Sequence, residues 1–110
     1  MDYNFFNDRR RDIRKPIQAR VSVQLTELIK GEGCVKDVTP GSACIVSPEL
    51  FAFFAKEHTE IFQNTMLTIT LPAHGLNLEG KIIRVEEAKN ELVVKLSRIS
   101  DPETWKKLCR

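Results

Sequence analysis

Ile17-Gln18-Ala19-Arg20-Val21-Ser22-Val23-Gln24-Leu25-Thr26 alternates without a break. Ile17, Ala19, Val21, Val23 and Leu25 fall on one side, and Gln18, Arg20, Ser22, Gln24 and Thr26 on the other. A period of two marks a strand with one face in a core and the other in water. Such a strand needs partners, and the chain supplies them as short segments between turn residues. Gly31-Glu32-Gly33 reads as a turn, after which Cys34–Val38 returns as a second strand. Thr39-Pro40-Gly41 turns again, and Ala43-Cys44-Ile45-Val46 is a third. Met66–Leu71 alternates and stops at Pro72, with His74-Gly75 turning the chain. Leu78–Glu86 and Glu91–Ser97 pair as a hairpin around Ala88-Lys89-Asn90. Six short strands at regular intervals predict a mainly β fold, an antiparallel barrel, because closure removes exposed edges.

Two helices punctuate the strands. Ser47-Pro48-Glu49 has the order of a helix start, with Ser as N-cap, Pro in the first turn and an acid beside it. Leu50, Phe51, Phe53, Phe54, Ile61 and Phe62 then recur at spacings of three and four. The predicted inserted helix, Pro48–Gln63, therefore has one strongly apolar side. Its four phenylalanines exceed what capping one barrel end needs, so the side around Phe51, Phe54 and Phe62 either packs as core or docks a protein partner. Ser100-Asp101-Pro102-Glu103 has the spacing of a capping box and opens a short C-terminal helix carrying Trp105 and Leu108.

A chain of 110 residues makes one domain with a modest core. The net charge is only +2, but residues 9–20 hold Arg9, Arg10, Arg11, Arg14, Lys15 and Arg20 against Asp12 alone. That segment is at +5, which leaves the rest at −3. A positive excess confined to one short stretch points to an anion site rather than to general solubility. The chain divides into an N-terminal arm with the arginine cluster, residues 1–16, and a barrel domain, residues 17–110. Tyr3, Phe5 and Phe6 are possible anchors of the arm.

Other chemistries find little support. Cys34, Cys44 and Cys109 are odd in number and lack metal-ligand spacing, so neither a disulfide framework nor a zinc site is expected. Cys34 and Cys44 read as small core residues. His58 and His74 stand beside no nucleophile or acid in a catalytic spacing, and no phosphate-binding glycine loop is present. The chain reads as non-enzymatic, without a cofactor. No apolar run approaches a membrane span and there is no signal-peptide core, so a cytoplasmic location is expected.

Arginine forks two N–H donors toward phosphate oxygens or the O6/N7 edge of guanine. In Asp37-Val38-Thr39-Pro40-Gly41 a carboxylate and a hydroxyl lie two residues apart, able to meet a base edge or to close a β-corner. The combination, Arg10 and Arg14, then a strand pair, then Asp37-x-Thr39, resembles the PilZ domain, a small bacterial β-barrel that binds cyclic di-GMP. Pro16 stands where the family often has proline. Gly80–Val85 and Leu92–Leu96 look like its late hairpin.

The resemblance implies a six-stranded barrel whose loop ahead of Ile17 orders on cyclic di-GMP and alters what a partner protein meets. It implies ligand contacts from Arg9, Arg10, Arg14, Asp37, Thr39, Gly41 and Ser42, with arginines on phosphates and a guanine, and the Asp37 turn receiving a guanine. An arginine placed like Arg9 tends in the family to favour an intercalated ligand dimer. Ser42 departs from the pattern by standing in the place of the motif glycine. Its Cβ either obstructs the ligand, or is tolerated because Gly41 absorbs the unusual backbone angle. The alternative function is a degenerate adaptor, in pilus or motility machinery, that binds no nucleotide. A single-stranded nucleic-acid barrel is disfavoured, because the strands offer few exposed aromatics for stacking.

Overall fold

The computed structural model describes residues 14–54 and 63–110. Its strands are β1 (Lys15–Gln24), β2 (Lys30–Thr39), β3 (Ser42–Val46), β4 (Met66–Leu71), β5 (Leu76–Glu86) and β6 (Glu91–Ile99). They close into an antiparallel barrel in the order β1-β2-β3-β6-β5-β4. Helix α1 (Pro48–Phe54) follows β3, and α2 (Pro102–Cys109) ends the chain. The mainly β, six-stranded barrel expected from the alternation is present. Its interior is aliphatic, with Val21, Val35, Ile45, Ile69, Leu78, Ile82 and Val94 all buried. Among the described residues no helix is long and apolar enough to cross a membrane.

The first strand keeps its predicted phase. Ala19, Val21 and Val23 are buried, while Ile17 and Leu25 are half-buried at the ends of the row. The turn after it lies elsewhere than expected. Leu25 N–H bonds to the Ile29 carbonyl at 2.9 Å, and the Thr26 hydroxyl accepts from Leu28 and Ile29 N–H at 3.1 and 3.0 Å. A threonine side chain thus makes the turn without glycine or proline. Gly31 and Gly33 belong to β2 instead, on its inner face. A Cβ on Gly31 would lie 2.9 Å from Leu50 N, and one on Gly33 would run into the Val46 carbonyl and Ser47. These glycines make room for α1, not for a turn.

Ser47 caps α1 as predicted. Fully buried, it accepts from Leu50 N–H at 3.1 Å and donates to the Glu32 carbonyl at 2.8 Å. One hydroxyl therefore starts the helix and ties it to β2. Glu49 adds a bond from Glu32 N–H at 3.1 Å. Gln63 is in a turn, so the helix stops short of it, and residues 55–62 lie outside the described residues. Of the phenylalanines assigned to a docking side, Phe51 is core, buried beside Leu50. Phe53, outside that set, is exposed. The side chain of Phe54 and all of Phe62 lie outside the described residues.

At the other end, α2 closes the barrel with Trp105, which is 2% exposed. Its cap is Asp101, one residue later than the capping-box reading. The Asp101 carboxylate accepts from Thr104 N–H at 3.2 Å and from its hydroxyl at 2.7 Å, and these bonds pull its pKa down. Ser100 is committed elsewhere, accepting from Asn77 N–H at 2.9 Å.

Candidate functional site

Of the predicted site residues, Arg14, Asp37, Thr39, Gly41 and Ser42 gather at the outer wall of β2, β3, β6 and β5. Alternation in β2 is broken between Val35 and Asp37, where the β2–β3 register shifts at Lys36. A bulge of this kind turns two consecutive side chains to the same face. Lys36 and Asp37 consequently both leave the core, while Val35 and Val38 on either side stay buried. A second shift, between Ile82 and Arg84 in β5, does the same for Ile83 and Arg84. Two bulges on different strands therefore face one region.

The register defines two rows across that region. One runs Pro16, Asp37, Cys44, Val93, Arg84 over five strands. The next runs Thr39, Ser42, Lys95, Lys81. Arg14, just ahead of β1, crosses to the first row: its Nη1 lies 2.8 Å from Asp37 Oδ1. The two sequence motifs thus meet side chain to side chain. Arg14 also borders two concavities. One, of about 210 Å³, holds Lys36, Asp37, Arg84, Lys89 and Glu91. The other, of about 430 Å³, is lined by Arg14, Thr39, Gly41, Ser42, Ile83, Val93 and Lys95. Arg9 and Arg10 lie outside the described residues.

The turn between β2 and β3 is held from several sides. Trp105 Nε1 donates to the Pro40 carbonyl at 3.0 Å, Leu96 N–H to the Gly41 carbonyl at 2.9 Å, and the Cys109 thiol sits 3.5 Å from the Thr39 carbonyl. Thr39 and Ser42 share a hydrogen bond of 2.7 Å between hydroxyls, and Gly41 N–H adds a 3.3 Å bond to Thr39 Oγ1. Thr39 is buried, so its hydroxyl is engaged within the turn. Neither Gly41 nor Ser42 has a positive φ, and a Cβ on Gly41 would meet nothing within 4 Å. The expectation that Gly41 absorbs an unusual backbone angle is therefore not met. Ser42 sits in ordinary strand backbone, and its hydroxyl closes the turn.

Charges beside Asp37 are mutually compensated. Lys36 Nζ bonds Glu91 Oε2 at 2.9 Å, which lowers the pKa of Glu91 and raises that of Lys36. Cys44 lies beneath them, its Sγ 3.7 Å from Glu91 Oε1. Burial first, and then the Glu91 charge, push the Cys44 thiol up to about 11. Neither cysteine is the core residue the sequence suggests: Cys44 is buried on this outer wall, and Cys34 is not buried at all. It is exposed, because its partners in the register, Arg20 and Val46, place it on the outer row. Arg84 bonds Glu86 through Nη2 at 2.8 Å and Nε at 3.1 Å. Sequence reasoning misses Lys36, Ile83, Arg84 and Lys95, whose convergence depends on two bulges and on register. The adjacent apolar pair Ile82-Ile83, which alternation cannot bury together, is the available signal.

No protein-family model matches the chain, and no curated protein does. Solved structures do. The PilZ domain of CeSA from a cellulose-synthesizing bacterium superimposes with a TM-score of 0.58 at 20% identity, over 89% of this chain and 92% of that one. The Bacillus subtilis inhibitor of motility (MotI/DgrA) gives a TM-score of 0.63 at 14% identity. That match covers 92% of this chain and 47% of the other, so the chain spans about half the motility inhibitor's length. The fold is that of a PilZ-like domain.

Proposed function

We propose that this barrel is a cytoplasmic, non-enzymatic receptor for cyclic di-GMP that passes ligand binding to a partner protein. The observation that carries the reading is the Arg14–Asp37 contact of 2.8 Å, which joins the arginine motif to the acid of the second motif. An anion donor and a base-edge acceptor are thereby fixed side by side, with Ser42 and Lys95 in the adjoining concavity. Arg14 is the group for a phosphate or the O6/N7 edge of guanine. Asp37 accepts from guanine N–H donors. In the free protein the two neutralise each other, so a ligand that satisfies both exchanges one pairing for two. Arg9 and Arg10 complete the grip in this reading.

Isothermal titration with cyclic di-GMP tests it. Wild type binds at micromolar affinity or weaker, and Arg10→Ala/Arg14→Ala abolishes binding with little change in thermal midpoint, because exposed ion pairs stabilise by only about 0–1 kcal/mol. No heat at millimolar ligand sinks the receptor reading. The adaptor reading then leads, supported by the engaged Thr39 hydroxyl and by the structural likeness to a protein named as an inhibitor of motility.

A further inference from the structure

Lys81 and Lys95 are directly opposed on β5 and β6. Both are exposed, and among the described residues neither has an ion-pair partner. Like charges facing each other across a strand pair destabilise a sheet. Here they do so in a wall where Arg14, Lys36 and Arg84 are each matched by an acid. The unmatched pair adjoins Ser42, the register partner of Lys95, and so borders the turn of the candidate site.

The second oddity lies beside it. Ile83 is 45% exposed, turned out by the β5 bulge into the concavity that Lys95, Arg14 and Ser42 also line. Val93 forms the same apolar floor. An aliphatic floor rimmed by cations suits a ligand with a flat apolar face and an anionic edge. A nucleotide has both.

We infer that the ligand site continues from the Asp37 turn across β6 and β5, where Ile83 and Val93 carry the face of a purine and Lys95 with Lys81 holds a phosphate. This extension rests on the nucleotide reading above and assigns the second half of a cyclic dinucleotide to a surface outside both sequence motifs. The sheet tolerates the lysine repulsion when empty, and the phosphate relieves it.

The test is calorimetry with cyclic di-GMP on wild type, Ile83→Ser and Lys95→Gln, together with methyl NMR of Ile83. Both side chains are exposed, so both variants are expected to fold. Each weakens binding about tenfold, within the range of one base contact or one phosphate contact. Lys95→Gln also flattens the salt dependence and raises the thermal midpoint of the free protein by about 1–2 °C, since the repulsion is gone. The Ile83 methyl protons move upfield in the complex, shielded by the ring above them. Wild-type binding lost in Arg14→Ala, yet unchanged within about twofold in both variants and with no methyl shift, overturns the extension alone. Absence of any wild-type binding overturns the extension and the receptor reading together.

Discussion

The α2 end of the barrel and the outer wall of β2, β3, β6 and β5 follow opposite rules. At the α2 end, each feature resolves into packing. Trp105 is buried, its N–H is bonded to Pro40, Asp101 caps the helix, and among the described residues no buried side-chain polar atom lacks a partner. On the outer wall the alternation fails at Lys36 and at Ile83, two lysines oppose each other, and an isoleucine stands in water. Stability explains the first region. It does not explain the second, and local choices that work against the fold are where function is to be sought.

Cutting into the packed region should cost most. Trp105→Ala removes the largest fully buried side chain and one of the bonds that hold the β2–β3 turn. A loss of about 3–5 kcal/mol is expected from urea denaturation, a large share of a domain this size. Ligand affinity should fall with it, because the turn loses an anchor. If stability drops while the turn resonances stay unchanged, α2 does not position the site.

Gly33→Ala comes next, on the β2 face where α1 closes the barrel. The added methyl meets backbone of Val46 and Ser47, so a cost of about 2–3 kcal/mol is expected by the same denaturation. Little effect would mean that the Val46–Ser47 junction is not held against β2.

Cys44 gives a pH-dependent comparison within the outer wall. Its folded pKa, about 11, lies above the ordinary value of 9.0. A raised folded value means that its contribution is intact below about pH 9 and is lost as pH rises through 11. Cys44→Ala should flatten that alkaline decline in thermal midpoint. At mildly alkaline pH, exposed Cys34 should be alkylated before Cys44. Early modification of Cys44 would show that the Lys36–Glu91 pair does not cover it.

The smallest effect is expected at Gly41. With open space where an added methyl would sit and no positive φ, Gly41→Ala should shift stability by less than about 0.5 kcal/mol. A larger loss would restore the view that this turn depends on glycine.

The sequence is most legible where strand period and burial coincide. The row from Ala19 to Val23, the Ser47 cap and the hairpin ending at Asn90 can be read directly, since each is a local signal. Gly31 and Gly33 cannot. Their need arises from contact with α1, and in sequence a glycine for close approach looks like a glycine for a turn. Asp101 and Ser100 are both competent caps, and only the packing of Asn77 against Ser100 separates them. For the candidate site, the types Arg14, Asp37 and Ser42 are visible, but their wall is not. Bulges at Lys36 and Ile83 invert the side-chain phase, and the Lys81–Lys95 opposition exists only once the strands are in register.

The receptor reading meets its most direct test in a two-dimensional NMR titration of the wild-type protein with cyclic di-GMP. Saturable shifts are predicted at Arg14, Asp37, Ser42, Ile83 and Lys95, with Val23, Leu50 and Phe53 at the α1 end left in place. Spectra unchanged at millimolar ligand, or shifts confined to the α1 end, would contradict it.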